Sequence, residues 1–328
     1  MRIGIVGPQV YRDSFAQNVG SALSHLGHEV TQLGPARAES RWATVARAAR
    51  MAQQASPRLE ALSQRRIVRS SLRAGCEFVL SLDAYLTPAV VSELKNAGMK
   101  VAFWFPDAVS NLGRQLMILA PYDAVFFKEP QLVQRLQAMI GSPVYHLPQA
   151  CNPQWHRPIG RAGVDPHLLV AGNMYPSRVR LLERVAAKGI PLKLYGGGFP
   201  RWLGETPLRE FHTGHYITGE EKAKLFRAAS GVLNTMHPAE IFGVNSRLFE
   251  AAGSGAAVLT EFRPVLPELF AVGEEVLTFD DFDQLIDQAT RLLNEPTLTE
   301  RLGDAAALRA HRDHTYELRV GTILEKVS

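Results

Sequence analysis

The chain has 328 residues, of which 46% are hydrophobic and 21% are charged, and its formal net charge is +4. This composition excludes a disordered or membrane-embedded chain, and the length predicts two domains of about 150 residues each. Because 36 basic residues are mixed with 32 acidic ones, no nucleic-acid partner is predicted, whereas a small anionic ligand is compatible with the excess.

The first part of the chain alternates short apolar runs with amphipathic segments. RIGIVG is followed by DSFAQNVGSALSHLGHEV, in which Phe15, Val19 and Leu23 recur at helical spacing before Gly27. Further apolar runs cover residues 76–82, 100–105, 122–127 and 143–148, with helices predicted near 88–97 and after Pro130. Strands that alternate with helices predict a parallel sheet covered on both faces.

A long segment rich in alanine and arginine, residues 41–73, interrupts this alternation. Pro57 lies in its middle and predicts two helices that are broken or kinked there. The densest basic stretch, SQRRIVRSSLR at 63–73, alternates with apolar residues. That pattern is typical of the solvated face of a helix rather than of a nucleic-acid-binding stripe.

Residues 150–167 hold three prolines and two glycines without periodicity and are predicted to be a linker. The alternation then restarts, with apolar runs at 167–172, 191–196, 231–236 and 256–260 and helices near 177–188 and 219–229. From about residue 281 the pattern is helical, and Pro296 is placed to begin a helix. We therefore predict domains over 1–150 and 166–310, and a terminal helix over 311–328 that returns to the first domain.

The cysteines and the chain start indicate the compartment. Cys76 and Cys151 are the only cysteines, without a CxxC pair or a Cys/His cluster, so neither structural zinc nor a disulfide framework is expected. This fits the reducing cytoplasm. The stretch MRIGIVGPQVYRDS has too short an apolar run for a signal peptide, and no stretch reaches the ~20 apolar residues of a transmembrane helix.

Polar side chains after predicted strands are the candidates for chemistry, because ligands of open α/β sheets bind beyond the carboxyl ends of the strands. After the strand at 167–172, NMYPSR offers Asn173 and Arg178, with Ser177 as the expected N-cap. A guanidinium beside a helix N-terminus suits a phosphate. An ordinary capped surface helix explains the same residues.

A glycine-rich turn follows the strand at 191–196. Gly196, Gly197 and Gly198 permit close backbone approach, and Phe199 is placed to stack on a base. The turn lacks the GxGxxG spacing, so the sequence does not support nicotinamide dinucleotide binding.

The most specific stretch is NSRLFEAAGSGAAVLTE at 245–261. Asn245 lies at a predicted helix start, and Arg247 and Glu250 lie three positions apart on one face. The carboxylate is able to accept two ribose hydroxyls, and the other two side chains are able to reach a diphosphate. The alternative is a capped helix with an Arg–Glu surface pair worth at most ~1 kcal/mol.

The stretches AEIFGVNSRLFEAAGSGAAVLTE, LPELFAVGEEVLTFDDFDQLI and HRDHTYELRVGTIL resemble the C-terminal domain of the group 1 glycosyltransferases, in the branch named after spore maturation protein CgeB. The N-x-R-x-x-E helix and the closing His-Thr-Tyr carry the resemblance. GNMYPSR, LYGGGFP, YDAVFFKE and YHLPQACNPQWHRP also stand where that pattern expects them. The resemblance covers most of residues 100–328.

The resemblance implies an α/β GT-B fold, in which two Rossmann-like doubly wound domains face a cleft and C-terminal helices cross back to the first domain. The second domain would hold a nucleotide-sugar donor, with no metal or cofactor. The implied donor-site residues are Asn173, Arg178, Tyr195, Gly196, Gly197, Phe199, Tyr216, Asn245, Arg247 and Glu250. Many retaining relatives carry a second glutamate where this chain has Phe242, and Glu240 is the nearest acid.

On the acceptor side, Asp107 and Asp83 each follow a predicted strand and are candidates for a general base. His215 and His237 are better explained as hydrogen-bonded structural residues. The prediction is a cytoplasmic glycosyltransferase that moves a sugar from a nucleoside-diphosphate sugar to a glycan, protein or small-molecule acceptor. The alternatives are a sugar-nucleotide epimerase on the same fold and a non-catalytic nucleotide- or glycan-binding protein.

Overall fold

The computed structural model describes residues 1–8, 11–37, 42–112, 118–200 and 203–328, and only the backbone of Ala43 and Gln54. The chain divides into two units, Met1–Leu147 with Glu317–Ser328, and Pro148–Tyr316. Within these ranges no helix combines the length and the apolar character needed to cross a membrane.

Six parallel strands form the sheet of the first unit: β1 (Arg2–Val6), β2 (Glu29–Gly34), β3 (Phe78–Ser81), β4 (Lys100–Phe105), β5 (Ala124–Phe127) and β6 (Val144–His146). Their order is β2-β1-β3-β4-β5-β6. Its helices are α1 (Phe15–His25), α2 (Ala43–Ala55), α3 (Pro57–Arg73), α4 (Pro88–Asn96) and α5 (Pro130–Ile140). Every residue of β3 and β5 is buried, as a parallel sheet covered on both faces requires.

The helix break at Pro57 is confirmed. α2 ends at Ala55, and Ser56 is the N-cap of α3, with its Oγ accepting a hydrogen bond from the Leu59 N–H at 3.5 Å. Pro57 occupies the first helical position, where its missing N–H is not needed.

Five parallel strands form the sheet of the second unit: β7 (Asp165–Ala171), β8 (Leu192–Tyr195), β9 (Ala229–Asn234), β10 (Val258–Glu261) and β11 (Leu277–Phe279). Their order is β11-β10-β9-β7-β8. The helices are α6 (Pro176–Ala187), α7 (Gly219–Ala228), α8 (Ser246–Gly253), α9 (Leu266–Leu269), α10 (Phe282–Asn294) and α11 (Pro296–Asp313). α6 and α10 share one apolar core, and α7, α8 and α11 share another.

The strand order of the second unit reverses at β7. β7 pairs with β8 on one side and with β9 on the other. The helices that follow β7 and β8 therefore lie on opposite faces of the sheet, and a crevice opens at the carboxyl ends of β7 and β9. This is the position in an open α/β sheet at which ligands bind.

The proline-rich segment predicted as a linker packs into the second unit. Cys151 and His156 are fully buried, and Asn152 is 1% exposed. The Cys151 N–H donates to the His314 carbonyl oxygen at 2.9 Å, and the Cys151 carbonyl oxygen accepts from the Tyr316 N–H at 3.0 Å. These bonds join the start of the unit to its end, which a sequence pattern of prolines and glycines does not reveal.

The end of the chain belongs to both units. Residues 311–313 continue α11, and the final helix, α12 (Tyr316–Val327), is separate from it. From Glu317 onward the chain belongs to the first unit, where Lys326 Nζ lies 5.0 Å from the centre of the Tyr145 ring.

Replacing Gly303 by alanine is expected to lower the free energy of unfolding by about 1–3 kcal/mol. A Cβ at this position of α11 would lie 2.2 Å from the Gly255 carbonyl oxygen, so the helix would have to move off the turn after α8. Gly321→Ala in α12 is the matched control, because a Cβ there has nothing within 4 Å. It should stabilise by up to ~1 kcal/mol. Urea unfolding measures both, and equal stabilities would contradict the packing argument.

Candidate functional site

The centre of the site is the backbone carbonyl oxygen of Thr235, directly after β9. It accepts hydrogen bonds from the Tyr175 hydroxyl at 3.2 Å, from Arg178 Nη2 at 2.9 Å and from Asn245 Nδ2 at 3.3 Å. The three donors come from the loop after β7, from α6 and from the N-cap of α8. The structure therefore brings two of the predicted stretches, NMYPSR and NSRLFE, to one point at the strand ends.

Arg178 is the buried cation of this cluster, with 8% of its surface exposed. Its Nε donates to Thr235 Oγ1 at 2.7 Å, and its Nη1 donates to the Asn173 carbonyl oxygen at 2.8 Å. The guanidinium carbon lies 4.3 Å from the centre of the Tyr175 ring. Burial lowers the pKa of Arg178 from its ordinary value, but an arginine stays protonated. A fixed positive charge therefore stands at the strand ends.

The predicted N-cap of this helix was wrong. The N-cap of α6 is Tyr175, and Pro176 occupies the first turn. Because proline favours the first helical position, the helix begins before Ser177. The side chain of Asn173 is exposed, and in this structure its backbone carbonyl is what contacts Arg178.

Glu250 lies in a buried ionic cluster. Its Oε2 accepts from Lys222 Nζ at 2.9 Å and forms an ion pair with Arg247 Nη1. Glu250 is 6% exposed and Lys222 is 4% exposed. The side chains of Arg247 and Glu250 are only 19% and 8% exposed, so they do not form the surface pair of the alternative explanation. Removing such charges from water costs several kcal/mol per ion.

Two polar atoms beside this cluster have no hydrogen-bond partner. They are Arg247 Nε and Asn245 Oδ1, and both are buried. An unsatisfied buried donor or acceptor costs ~1–3 kcal/mol. Asn245 is the N-cap of α8, yet its side chain caps no backbone N–H. The N-terminal N–H groups of α8 consequently have no side-chain acceptor from that residue.

Lys222 and Thr235 are site residues that the sequence reasoning missed. A signal for Lys222 exists: the buried side chains of α7 include Ala223 and Phe226, and Lys222 lies at helical spacing on that same buried side. A lysine on the apolar side of an amphipathic helix needs a buried acid as its partner. Thr235 carries no such signal, because its contribution is largely a backbone carbonyl.

The glycine-rich turn after β8 lies directly beside the end of β7. The Gly172 N–H donates to the Tyr195 carbonyl oxygen at 2.9 Å. Gly196 has a φ of +147°, and a Cβ there would lie 2.5 Å from the Gly172 carbonyl oxygen, so only glycine fits. A Cβ at Gly197 would meet nothing within 4 Å.

The aromatic candidates for the base differ in exposure. Phe199 packs against the His212 ring at 4.9 Å between centroids, and the Arg209 guanidinium lies 5.4 Å from its centre. Tyr216 is 44% exposed. Arg201 and Trp202, which follow this turn along the chain, lie outside the described residues.

The loop with Phe242 contains one buried acid, Glu240, which is 4% exposed. Its Oε2 accepts from the His237 N–H at 2.8 Å, and its carbonyl oxygen accepts from Arg263 Nε at 2.8 Å. His237 accepts from the Ala239 N–H through Nδ1 at 3.1 Å, and His215 Nε2 lies 3.0 Å from Glu221 Oε1. Both histidines thus have the hydrogen bonds expected of structural residues.

The two aspartates of the first unit have different environments. Asp83 is 5% exposed, and its carboxylate accepts from the Ala36 and Tyr85 N–H groups, each at 3.0 Å. Asp107 is exposed and accepts from the Ala108 N–H at 2.7 Å and from Asn111 Nδ2 at 2.8 Å. Asp83 therefore holds loops together, whereas the Asp107 carboxylate is open to solvent.

Metal ligands are not grouped in the part of the chain that the structure describes. No three His, Cys, Asp or Glu side chains there are arranged to hold a metal ion. The positive charge at Glu250 comes from Lys222 and Arg247.

Residues 178–325 match the family described as glycosyl transferase-like, and this range spans the site from Arg178 to Glu250. The chain is also similar to spore protein CgeB of Bacillus subtilis (strain 168), with 21% identity over 232 residues, which cover 65% of this chain and 70% of CgeB. The resemblance to the CgeB branch of the group 1 glycosyltransferases is confirmed.

Likeness to solved structures covers 99% of the chain. Sucrose-phosphate synthase (tll1590) from Thermosynechococcus elongatus matches with a TM-score of 0.68 and 12% identity, over 99% of this chain and 98% of that one. Anabaena Alr3699/HepE in complex with UDP-glucose matches with a TM-score of 0.62 and 12% identity, over 99% and 98%. At such identities the likeness shows the fold, and the predicted α/β GT-B fold is confirmed.

Proposed function

We propose that this chain transfers a sugar from a nucleoside-diphosphate sugar to an acceptor, and that its second unit binds the donor. The observation that carries the proposal is the buried cluster of Glu250, Arg247 and Lys222. Asn245, the N-cap of the same helix α8, donates together with Arg178 to the Thr235 carbonyl oxygen at the strand ends. HepE, a structural neighbour, has been solved with UDP-glucose and with UDP, which supports a nucleotide-sugar donor.

Each residue of the cluster has a chemical role in this proposal. Glu250 accepts hydrogen bonds from two ribose hydroxyls, and Lys222 holds its carboxylate in place. Arg247 turns from Glu250 toward the diphosphate, which gives its Nε the acceptor that it lacks here. The N-terminal N–H groups of α8 and the Arg178 guanidinium bind phosphate oxygens.

The glycine-rich turn completes the donor site in this proposal. The backbone of Gly196 and Gly197 lies against the nucleotide. The space beside Gly197 leaves room for this ligand, since a Cβ there would have no atom within 4 Å. Phe199 and Tyr216 supply the aromatic surface for the base, whereas the predicted Tyr195 side chain is 8% exposed and packs in the apolar core. The side chain of Asn173, which is exposed, contributes an amide near the phosphates.

The chemistry follows from the charges. The acceptor oxygen replaces the diphosphate oxygen on the anomeric carbon of the sugar, and the acceptor proton passes to a general base. Negative charge develops on the diphosphate oxygen as its bond breaks and the nucleoside diphosphate leaves. Arg178, Arg247 and the α8 N-terminus stabilise this charge without a metal ion. EDTA is accordingly expected to leave turnover unchanged.

Asp107 is the proposed general base for the acceptor hydroxyl, because its carboxylate is exposed to solvent. Asp83 is instead only 5% exposed, and its carboxylate accepts from two backbone N–H groups. A general base must lie within hydrogen-bond reach of the proton that it removes, which an exposed strand-end carboxylate permits.

A ligand screen tests the proposal. UDP, GDP, ADP and dTDP, each with its common sugar conjugates, are added at saturation while thermal unfolding is recorded. A ligand at a hundred times its Kd stabilises the folded state by about 2.7 kcal/mol, so at least one nucleotide should raise the Tm clearly. No shift with any of them would contradict the donor site. Incubation of a labelled donor alone then separates the alternatives: an epimerase scrambles the label, and a non-catalytic protein binds the donor without turnover.

A further inference from the structure

The outer surface of α2 and α3 in the first unit has an unusual charge. Residues 42–73 contain seven arginines and a single acid, Glu60, and Glu60 is only 5% exposed. The exposed arginines of this surface are Arg47, Arg58, Arg65, Arg66, Arg69 and Arg73. We call it the arginine surface. It presents positive charge that no exposed acid within the two helices offsets.

Large apolar side chains lie among these arginines and are exposed to solvent. They are Trp42 at 61%, Val45 at 54%, Met51 at 63%, Leu59 at 55%, Leu62 at 52% and Leu72 at 54%. In α2 the apolar residues are on the outer side: Val45, Ala48, Met51 and Ala52 are exposed, while Ala46 is 5% exposed. A helix that packs its apolar side inward would show the opposite arrangement.

Neighbouring groups use only part of this charge. The Arg66 guanidinium donates hydrogen bonds to the carbonyl oxygens of Leu33, in β2, and of Pro35, directly after β2. Arg65 Nε lies 3.8 Å from Glu93 Oε2 on α4, and both side chains are about half exposed, so this pair is weak. Arg47, Arg58, Arg69 and Arg73 extend from the exposed sides of the two helices and are available to an anionic partner.

We propose that the arginine surface binds an anionic lipid bilayer. Arginines flanking a helix whose outer side is apolar are the features with which an interfacial helix binds headgroups and enters the acyl boundary. A tryptophan at the edge of such a surface matches the preference of that residue for the membrane interface. A nucleic-acid partner would account for the arginines but not for the exposed apolar side chains, because phosphates do not bind Met51, Leu59 or Leu62. This inference is independent of the donor site.

Vesicle co-sedimentation of the full chain tests the proposal. The chain should bind phosphatidylcholine vesicles that contain phosphatidylglycerol, bind phosphatidylcholine alone far more weakly, and dissociate at high salt. The quadruple variant Arg47→Gln, Arg58→Gln, Arg69→Gln, Arg73→Gln should lose roughly a hundredfold or more in affinity, since each arginine near an anionic surface contributes severalfold.

The matched control makes the same charge change on the second unit: Arg161→Gln, Arg180→Gln, Arg291→Gln, Arg301→Gln, all exposed positions. It should retain most of the affinity. An equal loss in both quadruple variants would overturn the proposal, because net charge and not this surface would then explain binding. Failure of the native chain to bind phosphatidylglycerol vesicles would overturn it too, as would gel-shift binding of an RNA duplex without vesicle binding.

Insertion is measured separately by quenching of tryptophan fluorescence with brominated lipid. Trp42 is exposed, whereas Trp104 is fully buried and Trp155 is 9% exposed. The fourth tryptophan, Trp202, lies outside the described residues, so the measurement is made in a Trp202→Phe background. In that background Trp42→Phe should remove most of the quenching while keeping vesicle binding. Quenching that is unchanged in Trp42→Phe would show that Trp42 does not enter the bilayer and would contradict the proposed orientation.

Discussion

Glu250→Gln is expected to weaken nucleoside-diphosphate binding by roughly ten- to hundredfold, because hydrogen bonds to a charged group are worth about 1.5–3 kcal/mol. It should also lower the free energy of unfolding by about 3 kcal/mol, since Lys222 would be left buried without its full counter-charge. Isothermal titration with the nucleotide found in the screen measures the first effect, and urea unfolding measures the second.

A double variant separates the two roles of Glu250. Glu250→Gln with Lys222→Met removes the acid and one buried cation together, so much of the lost stability should return. Nucleotide binding should stay weak, because the amide still cannot accept charge-assisted bonds from the ribose hydroxyls. Recovery of binding along with stability would show that Glu250 acts only in folding. Glu220→Gln is the control, since its pair with Arg157 is exposed and worth at most ~1 kcal/mol.

Arg178→Ala should have the second large effect. The change removes three hydrogen bonds that join α6 to the loop after β7 and to the end of β9, and it is expected to cost about 3 kcal/mol of stability. It also removes a cation from the proposed phosphate site, so nucleotide binding should weaken by roughly tenfold or more. Titration well below the unfolding temperature keeps the two effects apart.

Arg180→Ala is the matched control on the same helix. Arg180 lies two positions along α6, its side chain is 86% exposed, and it pairs with Glu183 at 3.2 Å. Its loss should change stability by no more than ~0.5 kcal/mol and leave binding unchanged. Arg178→Lys should bind nucleotide with intermediate affinity, because lysine keeps the charge without the planar fork. Equal binding by all three variants would remove Arg178 from the donor site.

Most of the secondary structure was predictable because its signals are local. Apolar runs of strand length predicted the strands, and Pro57 and Pro296 marked helix starts because proline fits the first helical turn. The exception at α6 has the same origin, since Pro176 and not Ser177 sets its start. The segment at 150–167 was different: its burial depends on Cys151 meeting residues 314–316, a contact between distant parts of the chain.

By itself, the sequence determined the alternation of strands and helices, the parallel sheets that follow from it, and the spacing of Asn245, Arg247 and Glu250 on α8. Only the tertiary structure decided that Glu250 is buried with Lys222 and that Arg178 meets Thr235. The physical reason is the distance along the chain over which each kind of interaction acts. Backbone propensity and side-chain periodicity act over one or two turns, whereas a buried ion cluster forms only when strand order brings separate helices to one end of a sheet.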